Sequence, residues 1–222
     1  MGKTALVIGA TGLVGKALVS QLLDDDTYVK VKVFVRRPTG ITSQKLEEHI
    51  IDFDLIETWK NLVRGDVLFS ALGTTLARAG SRKAQYLVDF MYQFRFAQAA
   101  AENHLPVFVL VSSVGADPKS KIFYLRMKGQ LEEAVKTLKF SGCVVLRPGP
   151  LTGKRKEFRF GERLGILLVR LFNKVGFFTD YKPISDEQVA NVMRISAAYA
   201  LHGFEVLGPG TLFQIADTYK KK

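Results

Sequence analysis

Short apolar runs alternate along the chain with segments whose apolar residues recur at helical spacing. Residues 4–9 (TALVIG) are a continuous apolar run, the pattern of a strand covered on both faces. Over 12–24, Leu13, Ala17, Leu18 and Leu22 fall on one helical stripe. Residues 29–35 (VKVKVFV) alternate and predict a second strand, 47–51 a short third, and 54–64 a short helix around Leu55, Trp59 and Val63. A fourth strand is expected over 66–72 (DVLFSAL), a long helix over 82–102, a fifth strand over 106–112 (PVFVLVS), a helix over 120–139 and a sixth strand over 142–147 (GCVVLR). After Pro148 the pattern changes. A basic loop precedes a helix over about 162–174, then come Phe177-Phe178-Thr179-Asp180-Tyr181, a helix over 186–200, and short strands near 204–207 and 211–215.

Six strand–helix alternations predict an α/β fold, a Rossmann-type doubly wound parallel sheet. With no internal repeat or linker, residues 1–222 form one expected domain, about 150–222 serving as a small C-terminal cap over the crevice. Ligands bind at the carboxyl ends of strands in such sheets, so chemistry is sought there.

Composition narrows the classes of function. No apolar run approaches the length of a membrane span, and no membrane partner is expected. The opening MGKTALVIGATGLVG has a lysine before an apolar stretch, as signal peptides do. Gly9, Gly12 and Gly15 interrupt it at regular spacing, which suits a dinucleotide-binding turn better. The single cysteine, Cys143, cannot form an internal disulfide, and His49, His104 and His202 are far apart, so no metal site is expected and the cytoplasm is the expected compartment. The net charge of +11 allows an anionic ligand. Its local densities, Lys154-Arg155-Lys156 and Lys220-Lys221-Lys222, read as a solvated loop and a tail; without a nucleic-acid motif, nucleic acid is not an expected partner.

The strongest motif is Gly9-Ala10-Thr11-Gly12-Leu13-Val14-Gly15 between the first strand and first helix. Gly9 permits the tight turn, Gly12 lets backbone N–H groups approach a pyrophosphate, and Gly15 lets the helix pack close to the sheet. The pyrophosphate then faces a helix N-terminus. The second strand ends Val35-Arg36-Arg37-Pro38, with no acid for a ribose diol. Two guanidinium groups suit a 2′-phosphate, so NADP(H) is expected in preference to NAD(H).

Tyr124 and Lys128 stand at i and i+4 on one helical face. An ammonium there favours the phenolate and makes Tyr124 a candidate general acid/base. Tyr28 and Lys32 share the spacing but lie on a strand. Ser112 and Ser113 end the fifth strand, where either hydroxyl could orient a substrate oxygen.

These residues resemble the atypical short-chain dehydrogenase/reductases, and most of all the Tat-interacting-protein oxidoreductases, a family of NADPH-binding proteins. The resemblance runs through GATGLVG (9–15), VRRP (35–38), LGTTLARAG (72–80), SSVGAD (112–117), YLRMKG (124–129) and LRPGPL (146–151). It implies that Thr11, Gly12, Leu13 and Val14 line the pyrophosphate, that Arg36 and Arg37 hold the 2′-phosphate, and that Leu72 and Gly73 lie against the adenine–ribose side. It implies further that Tyr124 and Lys128 contact the nicotinamide ribose, that Pro148 and Leu151 face the nicotinamide, and that Arg159 supplies another cofactor contact. One departure stands out. Standard short-chain enzymes carry an asparagine in the helix before the fifth strand, and VDFMYQFRFAQAAAE has none.

The expected activity is therefore hydride transfer to or from a small carbonyl or alcohol, by a monomer or homodimer. The alternative is an NADPH-binding regulatory or sensor protein. The aromatics Phe158, Phe160, Phe177, Phe178 and Tyr181 either line an apolar pocket or attach the cap to the sheet.

Overall fold

The computed structural model describes residues 2–152, 183–200 and 203–219. In chain order the elements are β1 (Lys3–Ile8), α1 (Leu13–Leu23), β2 (Tyr28–Val35), β3 (Leu46–Ile50), α2 (Ile56–Trp59), β4 (Val67–Ser70), α3 (Leu76–Ala79), α4 (Arg82–Tyr86), α5 (Gln93–Glu102), β5 (Val107–Val111), α6 (Phe123–Lys136), β6 (Gly142–Leu146), β7 (Leu151–Thr152), β8 (Ile184–Ser185), α7 (Asp186–Tyr199), β9 (Gly203–Leu207) and α8 (Pro209–Thr218).

Seven strands form one sheet in the order β3-β2-β1-β4-β5-β6-β9, and every neighbouring pair is parallel. This is the doubly wound arrangement expected from the alternation. Successive side chains of a strand point to opposite faces, and β1 feeds two cores. Ala5 and Val7 pack with Leu18 and Leu22 of α1 and Val189 and Met193 of α7. Leu6 and Ile8 pack with Trp59, Phe96 and Phe108 on the other face. There Trp59 stacks on Phe96 with ring centroids 4.0 Å apart, and its indole N–H donates to the Asp52 carbonyl at 3.0 Å.

Several boundaries differ from expectation. The helix expected over 54–64 is α2 followed by a 3-10 turn at Lys60–Leu62. The helix expected over 82–102 is continuous but irregular: a π-helical stretch, Leu87–Tyr92, joins α4 to α5. The strand expected near 211–215 is part of α8. Gly208 and Pro209 open this helix, and Leu212 and Ala216 bury one face at i and i+4.

Much of the expected cap belongs to the main layers. α7 starts with a capping box: the Ser185 hydroxyl accepts from the Gln188 N–H at 3.1 Å, and the Ser185 N–H donates to the Gln188 side chain at 3.0 Å. This helix lies on α1, where Gln21 Nε2 donates to the Glu187 carbonyl at 3.0 Å and Arg194 pairs with Asp25 at 2.6 Å. β9 extends the sheet beside β6. A two-stranded parallel ribbon, β7–β8, precedes α7. Arg159, the predicted helix over 162–174 and the aromatics from Phe158 to Tyr181 lie outside the described residues.

Candidate active site

The predicted site residues within the described chain gather at the carboxyl edge of the sheet. Gly9 follows β1, Arg36 and Arg37 follow β2, Leu72 and Gly73 follow β4, Ser112 and Ser113 follow β5, and Pro148 follows β6. The sheet order reverses between β1 and β4, which opens a crevice there.

The β1–α1 end is shaped by backbone. Gly9 has φ +82, and a Cβ on it would lie 2.4 Å from the Ala71 carbonyl carbon. On Gly15 a Cβ would meet the Gly9 carbonyl oxygen at 2.0 Å. The turn closes through the Gly12 N–H, which donates to the Gly9 carbonyl at 2.8 Å. Gly12 is the N-cap of α1 and offers no side chain, and the first turn holds no acid. Leu13, Val14 and Gly15 therefore begin a helix whose first N–H groups face the crevice without a capping side chain. Thr11 is exposed in the turn. Such a cradle fits the pyrophosphate of a dinucleotide. Arg36 and Arg37 are both exposed and make no ion pair among the described residues.

The other end is shaped by side chains. Lys128 is 4% exposed, and its Nζ donates to the Val111 carbonyl at 3.4 Å. The same Nζ lies 3.9 Å from Oδ1 of Asp89, which is only 1% exposed. Both Asp89 carboxylate oxygens accept from the Thr74 N–H, at 3.2 and 3.1 Å. Burial pushes the Asp89 carboxyl up to about 6, against the opposing pull of Lys128 and the Thr74 N–H. Tyr124 is half-buried one turn before Lys128 on α6. Arg82 stands over the neighbouring Phe123 ring, 5.5 Å from its centroid.

The two serines have different surroundings. Ser112 Oγ donates to the buried Glu132 carboxylate, which also accepts from Arg147 Nε at 3.1 and 3.2 Å and from Nη2. Among the described residues, Ser113 Oγ makes a single 3.2 Å bond, to the Val114 carbonyl. Its loop is pressed onto α6, since a Cβ on Gly129 would lie 2.3 Å from Asp117 and Pro118 backbone atoms. Pro148 is buried and its carbonyl accepts from the Val114 N–H at 3.0 Å, while Leu151 is exposed.

Sequence reasoning missed Asp89, Gln93, Glu132 and Arg147. Asp89 carried one signal, an acid alone among Leu87, Val88, Phe90 and Met91. The others show themselves only as partners in space. Ser70 Oγ donates to Gln93 Oε1 at 2.6 Å, and Gln93 Nε2 donates to the Asp89 carbonyl at 2.7 Å.

A parallel doubly wound sheet with an open glycine cradle defines a dinucleotide-binding protein. The chain belongs to the NAD(P)H-binding family, whose model matches residues 9–194. Among curated relatives it is similar to the Saccharomyces cerevisiae protein "Protein FMP52, mitochondrial", 38% identical over 166 residues that cover 72% of this chain and 71% of that one. Among solved structures it superposes on a short chain dehydrogenase from Burkholderia cenocepacia in complex with NADP. That match has a TM-score of 0.66 and 15% identity, and covers 97% of this chain and 92% of the other. MoeE5 in complex with UDP-glucose and NAD gives a TM-score of 0.67 at 18% identity, covering 97% and 82%. At these identities the neighbours show the Rossmann-type fold.

The expected cytoplasmic location is overturned. Relatives between 34 and 38% identical over most of the chain are named mitochondrial proteins. The inference from cysteine was unsound for a physical reason. Cys143 is a buried core residue, and burial pushes its thiol up to about 12, so it reports on packing and not on compartment.

Proposed function

We propose that this protein is an NADP(H)-dependent oxidoreductase acting on a small carbonyl or alcohol, and that it works in the mitochondrion, as its relatives' names suggest. The observation that carries the reading is Lys128. A buried ammonium sits at the carboxyl edge of the sheet, one helical turn from Tyr124, across the crevice from an open phosphate cradle. Arg36 and Arg37, exposed and without ion-pair partners among the described residues, support the 2′-phosphate. The resemblance to the Tat-interacting-protein oxidoreductases supports the same assignment.

When bound in the crevice, NADP(H) would supply hydride chemistry at the substrate carbon. Tyr124 gives the carbonyl oxygen its proton in the reduction and takes it back in the oxidation, so that carbonyl, hydride and proton together make the alcohol. Lys128, buried one helical turn from Tyr124, would hold the ribose. Ser113 orients the substrate oxygen, because the Ser112 hydroxyl is engaged by Glu132.

Two measurements test this. Parallel titrations should show tighter binding of NADPH than of NADH; equal affinity removes the arginine argument. In a panel of carbonyl compounds, Tyr124→Phe should slow turnover by about 100-fold or more while NADPH affinity stays within about threefold. Undiminished turnover would remove Tyr124 from the chemistry. A wild-type chain that binds NADPH and never oxidises it would be a sensor.

A further inference from the structure

Asp89 is a buried acid that the proposed reaction leaves unused, and unlike Glu132 it faces Lys128. Carboxylates are rarely buried without partners, because desolvation disfavours their charge. Here several features of the chain meet at this one group. Thr74 in the loop after β4 turns its N–H onto both carboxylate oxygens. Gly73 leaves them room, since a Cβ on Gly73 would lie 3.0 Å from Oδ1. Lys128 on α6 brings its ammonium to 3.9 Å and is the charged side chain among the described residues whose field acts on the carboxylate.

The helix is also irregular at this point. Asp89 lies inside the π-helical stretch Leu87–Tyr92. Relative to α5, whose Phe96 and Ala100 are packed in the core, one inserted residue turns the preceding positions by about 100°. The Asp89 carbonyl in this stretch is satisfied by the side chain of Gln93, itself held by Ser70. Stretches of this kind cost helix regularity and cluster at functional sites.

We propose that Asp89 is a positioning residue, a buried counter-ion that fixes the Lys128 ammonium and the Thr74 amide in one arrangement at the nicotinamide end of the crevice. It touches neither substrate nor cofactor. It acts by holding Lys128 where the ribose would meet it, so the inference rests on the cofactor reading given above.

The test is a double-mutant cycle on the full chain, with Asp89→Asn and Lys128→Met made singly and together. NADPH affinity is read from nicotinamide fluorescence, and turnover of the carbonyl panel is followed in the same proteins. Each single change should weaken NADPH by about tenfold, and the double variant should be no weaker than Lys128→Met alone. Effects that multiply to about 100-fold, or an Asp89→Asn variant with unchanged affinity, would overturn the proposal. Absent turnover in the wild type removes the oxidoreductase reading and leaves the affinity cycle to decide on Asp89. Should the wild type not bind NADPH, or Asp89→Asn not fold, the decision passes to the NMR titration of the Asp89 carboxyl in wild type and in Lys128→Met. A midpoint that rises when the ammonium is removed supports the pair; an unmoved midpoint overturns it.

Discussion

The two ends of the crevice are built in different ways. At the β1–α1 turn the working parts are backbone: Gly9 at positive φ, Gly15 under the Gly9 carbonyl, and a helix start with no capping side chain. At the α6 end they are side chains from separate elements, Lys128, Asp89, Gln93, Glu132 and Arg147, each placed by another. A backbone cradle is written locally, in residues whose spacing can be read along the chain. A network of side chains is written across the fold, in residues that mean little until they meet.

This contrast can be broken experimentally. The largest effect is expected at Gly9→Val, which meets both a positive φ and a 2.4 Å approach to Ala71. Stability should fall by about 3 kcal/mol or more, lowering Tm by about 6–12 °C, and NADPH affinity should fall more than about 100-fold. A variant that binds NADPH normally would show that the cradle is not the phosphate site. Next, Arg36→Ala with Arg37→Ala should weaken NADPH by about 10–100-fold, as expected for lost charge-assisted hydrogen bonds, and leave NADH unchanged. Equal losses for both cofactors would mean that the pair serves general attraction. The smallest effect should come from Glu132→Gln, which loses an acceptor for Ser112 and Arg147. A destabilisation of about 2 kcal/mol, read as a Tm lower by about 4–8 °C, should leave NADPH affinity unchanged. If affinity fell as well, the two ends of the crevice would be coupled more tightly than the geometry suggests.

The same contrast explains what could be read in advance. The alternation of buried strands and helices carried the sheet as far as β6, because parallel strands covered on both faces leave continuous apolar runs such as PVFVLVS. The edge was harder. Residues 211–215 mix apolar and polar positions in a way that suits either period, and the Gly208-Pro209 start of α8 decided for helix. The glycine cradle and the Tyr124–Lys128 spacing were visible as local patterns. Asp89 was not, because its placement depends on a π-helical turn that shifts the register the spacing assumes. Nor could Ser112 be separated from Ser113, since only the fold brings Glu132 to one of them.

The packing of α7 on α1 joins the two ends of the chain. Gln21 meets Glu187, and Asp25 meets Arg194, across 166 and 169 positions respectively. Until α7 has been synthesised, the side of α1 that α7 packs on stays open, although its other side already lies on the sheet. Until β9 follows, β6 remains an open sheet edge. Assembly is therefore governed by contacts of long sequence separation, which form slowly and late. A ribosome-bound or truncated chain that stops before residue 183 would expose the α7-facing side of α1 and an unpaired strand together, and aggregation would compete with completion of the fold.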